Sequence, residues 1–231
     1  MVSRFFVLLL LTGVGAIFVS LMFGYVPDNA LNLTARYYAE NTVRDTGAAN
    51  IVAAIVVTFR GLDTLGEVTV LFLTAAIVGL VLAGSQQGRL RREQPAPGEL
   101  LVTGTRLLVP LTLLLGVYVF VNGHLTPGGG FQGGAILASA ILMLLRADPL
   151  REFSHRLISV IESISGLLFV AVGLLGMVYA GGFLDNRILP LGTLGDLISA
   201  GAIPVIYSFI GLKVGAEFSS MMVNLSETEE P

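Results

Sequence analysis

Four places in the sequence set ionisable side chains in or beside long apolar runs, where a charge is costly and normally faces protein or water rather than lipid. Asp63 and Glu67 are four residues apart. On a helix beginning near Thr64, Glu67 falls in the first turn, where the positive end of the helix dipole favours a carboxylate. The pair suits a cap with an interfacial charge, or an ion or proton relay at a membrane path, with Arg60 as its partner while the acids are ionised. Lys213, the only lysine, and Glu217 are also four apart and can pair on one helical face. The short distance from this pair to polar sequence favours snorkelling at a cytoplasmic helix end over a proton relay. Glu162 reads as an interface charge near the inner end of another helix. His124 is either a titrating group or a hydrogen-bonded loop residue. Cysteine is absent and the two histidines, His124 and His155, are far apart. No metal site, cofactor or cysteine nucleophile is therefore expected on this chain.

The composition names the solvent these groups must survive in. Of 231 residues, 54% are hydrophobic and 13% charged, about half the roughly 25% charged share of a soluble domain. Mean hydropathy is +0.84. A net charge of −3 gives no reason to expect a nucleic-acid partner. Apolar runs at residues 5–23, 68–83, 100–121, 135–145, 157–180 and 197–217 predict an all-α, polytopic membrane protein with about six transmembrane helices crossing a hydrocarbon layer about 30 Å thick, although 68–83 is slightly short unless 65–67 belong to it and 135–145 reaches across only with Phe131 and the glycines. The first run is read as a retained helix, not a cleaved signal peptide. Residues 31–43 suggest an amphipathic interfacial helix, 51–59 are apolar but too short to span, and Pro204 interrupts the last run.

Between the third and fourth runs lies Asn122-Gly123-His124-Leu125-Thr126-Pro127-Gly128-Gly129-Gly130-Phe131-Gln132-Gly133-Gly134. Gly costs about 1 kcal/mol and Pro about 3 kcal/mol in a helix interior, so this stretch ends one helix and begins another. Gly128, Gly130 and Gly133 form a GxGxxG, but the strand that a dinucleotide fold places before it is missing. Small residues four apart (Ala75, Gly79 and Ala83; Gly134 and Ala138; Gly176 and Ala180; Gly211 and Gly215) predict close helix packing. With the N-terminus inside, the inner segments carry Arg4, Arg89, Arg91, Arg92, Arg146, Arg151 and Arg156, against Arg36, Arg44, Arg60 and Arg187 outside. This bias predicts that both termini are cytoplasmic. The buried charges are too few for a complete ion pump, which points to one part of a larger assembly.

The string Gly123-His124-Leu125-Thr126-Pro127-Gly128-Gly129-Gly130-Phe131-Gln132-Gly133-Gly134 between two spanning runs resembles the signature of the MnhB/MrpB family, small membrane subunits of Mrp-type multisubunit Na⁺/H⁺ antiporters; the resemblance covers about residues 103–224. Upstream, Asn50-Ile51-Val52 and Phe59-Arg60-Gly61-Leu62-Asp63-Thr64-Leu65-Gly66-Glu67 resemble the C-terminal end of the antiporter A subunit, or the equivalent small subunit of membrane-bound hydrogenases. Thr58 stands where an acid is common in that pattern. The implied organisation is a two-helix unit at 1–88, a cytoplasmic linker at 89–99 that marks a fusion seam, a four-helix unit at 100–224 and an acidic tail at 225–231. The resemblance implies a non-enzymatic subunit in a prokaryotic cell membrane, with other subunits, Na⁺, H⁺ and the lipid bilayer as partners. Asp63, Glu67, His124, Lys213 and Glu217 are the candidate ion or proton path; Pro127, Gly128, Gly129, Gly130, Phe131, Gly133 and Gly134 are the structural motif. The same module serves redox-driven relatives such as membrane-bound hydrogenases, and a purely structural scaffold is the third reading.

Overall fold

A computed structural model describes residues 2–24, 30–85, 97–148, 151 and 153–228, and no strand occurs among them. The chain divides into two compact units, Met1–Tyr37 and Tyr38–Pro231. The first contains α1 (Val2–Gly24), on which side chains 5–24 are exposed. It also holds the start of α2 (Leu33–Thr46), where the Ala35 N–H donates to Asn32 Oδ1 at 2.8 Å, satisfying one of the donors a helix start leaves open.

The second unit begins with the rest of α2 and a bend of 89° into α3 (Ile51–Phe59). Asn50 caps α3, its side chain accepting from Val52 and Ala53. From Ala54 to Phe59 the helix widens to a π-turn, closed by Arg60 N–H to Ile55 O at 2.8 Å. The Thr64 hydroxyl donates to Val56 O, so a carbonyl loosened by the wide turn is bonded by the next helix. α4 (Gly61–Ser85) follows, seven residues longer at its start than the apolar run implied. α5 (Glu99–Val121) contains Pro110. α6 (Gly130–Ala147) begins inside the glycine stretch, and α7 (His155–Tyr179) is capped by Ser154, which accepts from Leu157 N–H.

α8 (Ile203–Thr228) departs most from expectation, which set the last helix at 197–217 with a break at Pro204. Ala200 and Gly201 adopt positive φ (58° and 59°) and hold the preceding chain out of the helix. Pro204 instead occupies the first turn, where its missing N–H leaves no bond unmade. At the far end Ser219 and Ser226 donate to Gly215 O and Val223 O, and the helix continues through residues that read as polar chain.

α8 packs against α4, α5, α6 and α7. Its Ile203, Ile206, Ile210 and Val214 are 0–1% exposed at three- and four-residue spacing, the stripe a core helix requires. α4 thus shares one core with the helices that follow residue 100. Five helices (α1, α4, α5, α6 and α7) are long and apolar enough to cross a membrane, or six if the bent α2–α3 pair is one span. α8 is as long but less apolar, because it carries Lys213 and Glu217. The linker and the end of the acidic tail, residues 86–96 and 229–231, lie outside the described residues.

Candidate functional site

The glycine turn is built by residues that bond it from three sides. Asn50 Nδ2 donates to Gly123 O at 2.8 Å and to Thr126 O at 3.0 Å, while the N–H groups of Ala49 and Asn50 donate to His124 O at 3.0 and 2.9 Å. Tyr207 of α8 lies beneath: a Cβ on Gly123 would come within 2.8 Å of its ring, and one on Gly129 within 3.2 Å. His124 is fully buried, with Nε2 3.3 Å from Asp196 O, so Nε2 donates and Nδ1 has no partner. Loss of water holds His124 below the usual imidazole range, partly offset by the hydrogen bond to the Asp196 carbonyl. Asn186 ties the same end, donating to Thr46 O at 2.7 Å and Ala200 O at 2.9 Å.

The glycines that follow the turn serve two helices. A Cβ on Gly133 would lie 2.7 Å from Gly116 O of α5; on Gly130, 2.5 Å from Ile210 Cβ; on Gly134, 2.7 Å from Gly211 O of α8. α6 therefore meets α5 and α8 backbone to backbone, the approach that small residues permit. Gly128 and Gly129 hold φ of 157° and 155°. Pro127 is exposed, and Phe131 is partly buried against the core.

Lys213 and Glu217 lie elsewhere in the core. Nζ is 2.6 Å from Oε1, with side-chain exposures of 9% and 0%. The pair is about 15 and 21 Å along α8 from its start, at 1.5 Å per residue, with eleven residues of helix beyond Glu217. The snorkelling reading is thus corrected: the ammonium does not reach a helix end. Instead it sits 4.9 Å from the Phe72 ring of α4, a favourable setting for a desolvated cation. Oε2 of Glu217 has no hydrogen-bond partner. Glu162 of α7 is an electrostatic neighbour of Glu217.

Asp63 and Glu67 are not part of this cluster. Both are exposed on α4, and Asp63 pairs with Arg60, which is itself 62% exposed. Thr58 lies in the π-turn with its hydroxyl buried and unpartnered. Phe72, Asn186 and Tyr207 complete the two sites but are not singled out by the sequence, and Asn50 lies in the upstream motif without a role assigned to it. Asn50 bonds residues 73 and 76 positions away, which no local pattern encodes.

Comparison with known proteins matches both parts of the chain. Residues 100–220, just over half of it, match the family described as a domain related to the MnhB subunit of Na⁺/H⁺ antiporter, and residues 3–103 match MbhE, the E subunit of MBH. The B subunit of a Na⁺/H⁺ antiporter from Bacillus subtilis is 37% identical over 97 residues, 41% of this chain and 68% of that protein. A chain of an archaeal respiratory membrane complex, the membrane-bound sulfane sulfur reductase, superposes with a TM-score of 0.84 at 37% identity, covering 100% of both chains. A chain of the Mrp complex from Dietzia sp. DQ12-45-1b superposes with a TM-score of 0.78 at 28% identity, covering 99% of this chain and 26% of that one.

Proposed function

Because the chain belongs to the family of the domain related to the MnhB subunit of Na⁺/H⁺ antiporter, we propose that it is a membrane subunit of a multisubunit cation/proton antiporter, contributing to the ion path and to assembly. The observation that carries this reading is the Lys213–Glu217 pair, buried in the middle of the central helix. Removing two charges from water costs several kcal/mol per ion, and hydrophobic replacements of similar volume are often as stable. Ionisable groups at membrane depth are accordingly functional by default. In this reading Lys213 and Glu217 handle the proton or cation. Asp63 and Glu67 complete the path against a partner subunit, and His124 with the Pro127–Gly134 segment is the rigid end piece that fixes α6 on α8.

Two modules, 1–88 and 100–224, joined through 89–99, are the organisation we favour. The family matches to residues 3–103 and 100–220 support it. We place both termini in the cytoplasm of a prokaryotic cell, on the arginine bias. The loops at 46–50, 122–129 and 184–202, which this topology puts outside, bond one another at one end of the second unit.

A second reading is favoured by the full-length match to a chain of the sulfane sulfur reductase complex: the same subunit working within a redox-driven assembly. Two measurements test both. Mild-detergent extraction followed by a native gel and mass spectrometry is expected to recover antiporter-type subunits with this chain. Co-migrating iron–sulfur or nickel proteins would move the assignment to the redox-driven assembly, and a chain migrating alone would end both readings. In vesicles holding the assembled complex, Glu217→Gln is expected to abolish Na⁺-dependent proton exchange. Wild-type exchange in that variant would remove the pair from the path.

A further inference from the structure

Lys213 bonds one carboxylate, Glu217, and its stem lies against the helix that carries a second, Glu162. Its bond to Glu217 runs along α8. Its stem lies against α7: a Cβ on Gly166 would be 3.4 Å from Lys213 Cδ and 3.5 Å from both Cε and Nζ. Glu162 is one helical turn from Gly166 on α7, and Glu217 one turn from Lys213 on α8. The helices run antiparallel, since His155 at the start of α7 meets Glu227 near the end of α8 at 2.8 Å. Glu162 and Glu217 therefore stand within about one helical turn of each other's level on facing helices, and the charge of Glu162 acts on Glu217.

The charges in this cluster do not cancel. Two carboxylates and one ammonium sum to −1; Glu217 is fully buried and Glu162 half-buried, and an uncompensated charge drawn partly out of water is disfavoured. The buried Oε2 of Glu217, which has no partner, is the atom left to receive what is missing. From α4 the site meets the ring of Phe72 rather than a charge. The other described charges on the surrounding helices are Asp63 and Glu67 early in α4, Glu99 and Arg106 early in α5, Arg146 in the last turn of α6, and His155 and Arg156 at the start of α7.

We propose that Glu162, Lys213 and Glu217 form a binding site for one exchangeable monovalent cation, a proton or a sodium ion, with Lys213 as the movable counter-charge and Glu162 as the second carboxylate. The proposal rests on the antiporter reading and adds to it a residue and a ligand. In the arrangement seen, the ammonium neutralises Glu217 and the exchangeable cation belongs to Glu162. When the proton passes from Glu162 to Oε2 of Glu217, one O–H bond breaks, another forms, and the ammonium turns across Gly166 to the newly ionised Glu162; the total charge is unchanged. When sodium replaces the proton on a carboxylate, the proton leaves to water and the total is again zero. Proton and sodium thus compete for a single place. Access runs along the α7–α8 seam. The exposed His155–Glu227 pair is its outer end, about 15 Å along α8 from Glu217. Ser165 and Ser219, both nearly buried, lie further in, each keeping acceptor capacity on its hydroxyl oxygen.

The test is Na⁺-dependent proton exchange in proteoliposomes containing the whole complex, with the half-saturating sodium concentration followed against pH. In the wild type, competition for one place predicts a tenfold rise in that concentration for each unit of acidification once the site is protonated. Glu162→Gln is expected to lower exchange at least tenfold and flatten this dependence in an assembled complex, and Glu162→Asp to restore part of the rate. If Glu162→Gln does not assemble, Glu162→Asp gives the reading: drawing the carboxylate back by one methylene shifts half-saturation severalfold, and an unchanged value overturns the proposal. Wild-type rate and pH dependence in Glu162→Gln, with Lys213→Met and Glu217→Gln inactive, overturns the three-residue site and leaves the antiporter reading standing. Wild-type behaviour in all three variants overturns the site and, with it, the role of the pair.

Discussion

Asp63 and Glu67 on α4, and Lys213 and Glu217 on α8, have the same four-residue spacing and opposite surroundings. The first pair faces outward, with Asp63 answered by Arg60 at the surface. The second is enclosed by the packed helices, with 9% and 0% side-chain exposure. Spacing says only that two side chains share a helical face. Which way the face turns is set by the other helices. Charge on the outward face is inexpensive to change within this chain, whereas charge on the inward face is costly to change singly and less so to change in both members together.

The sharpest way to break this contrast is to remove one inner partner. Lys213→Met leaves the Glu217 carboxylate buried and unpaired, which is expected to cost about 3–5 kcal/mol. The double variant Lys213→Met, Glu217→Met removes both charges and is expected to recover most of that loss, while exchange stays abolished. Unfolding titration in mixed micelles measures the first effect and vesicle exchange the second. Equal stability of the single and double variants would show that the pair is solvated after all, and the inner face would be no different from the outer.

Much of the architecture is legible in the sequence because it depends on local chemistry. The apolar runs, the stop at Pro127–Gly130 and the small residues for close packing all act over a few residues. The burial of Lys213 is not legible, because the polar sequence after Glu217 looks like a helix end. It is helix because Ser219 and Ser226 bond carbonyls of their own helix and because tertiary packing outweighs weak propensity. The same holds at the start of α6. Gly130–Gly134 reads as turn from propensity alone, yet it is helical, since only glycine lets that helix sit on Gly116 O and Gly211 O. Asn50 stands within a recognisable motif, but its role as the clamp on the turn depends on partners more than seventy residues away.

Glycine-to-alanine substitution tests the same contrast with no charge involved. At Gly134 the added methyl would lie 2.7 Å from Gly211 O and 2.8 Å from Val214 Cβ, so overpacking of about 1–3 kcal/mol is expected. At Gly66, on the outward side of α4, nothing lies within 4 Å, and the change is expected to be neutral or to stabilise by up to about 1 kcal/mol through helix propensity. The opposite signs, read from melting midpoints in one detergent, would sharpen the difference between the faces; equal signs would remove it.

Burial at the end of the bundle makes a pH-dependent version of the argument. His124 is held neutral by loss of water, below the ordinary imidazole value of 6.5. Above pH 6.5 the folded and unfolded chains are both neutral at this residue and stability is complete. Below it the unfolded chain binds a proton that the folded chain does not, so stability falls by about 1.4 kcal/mol per pH unit until the lowered folded value is reached. His124→Gln is expected to flatten this part of the stability profile below pH 6.5. An unchanged slope would assign it to other groups.

The smallest expected effect is the most informative about partners. Glu67→Gln changes an exposed side chain, so the isolated chain is expected to keep its stability within about 0.5 kcal/mol. If Glu67 completes an ion path against another subunit, the loss appears only in the assembled complex, as slower exchange at unchanged subunit composition. Asp63→Asn serves as its neighbour control, since Asp63 already has Arg60 within an ion-pair distance and is less available to a partner. Glu67→Gln with wild-type exchange in an intact complex would confine the path to the inner residues, and the outer pair would then be a helix-start charge and its surface partner, as its exposure alone suggests.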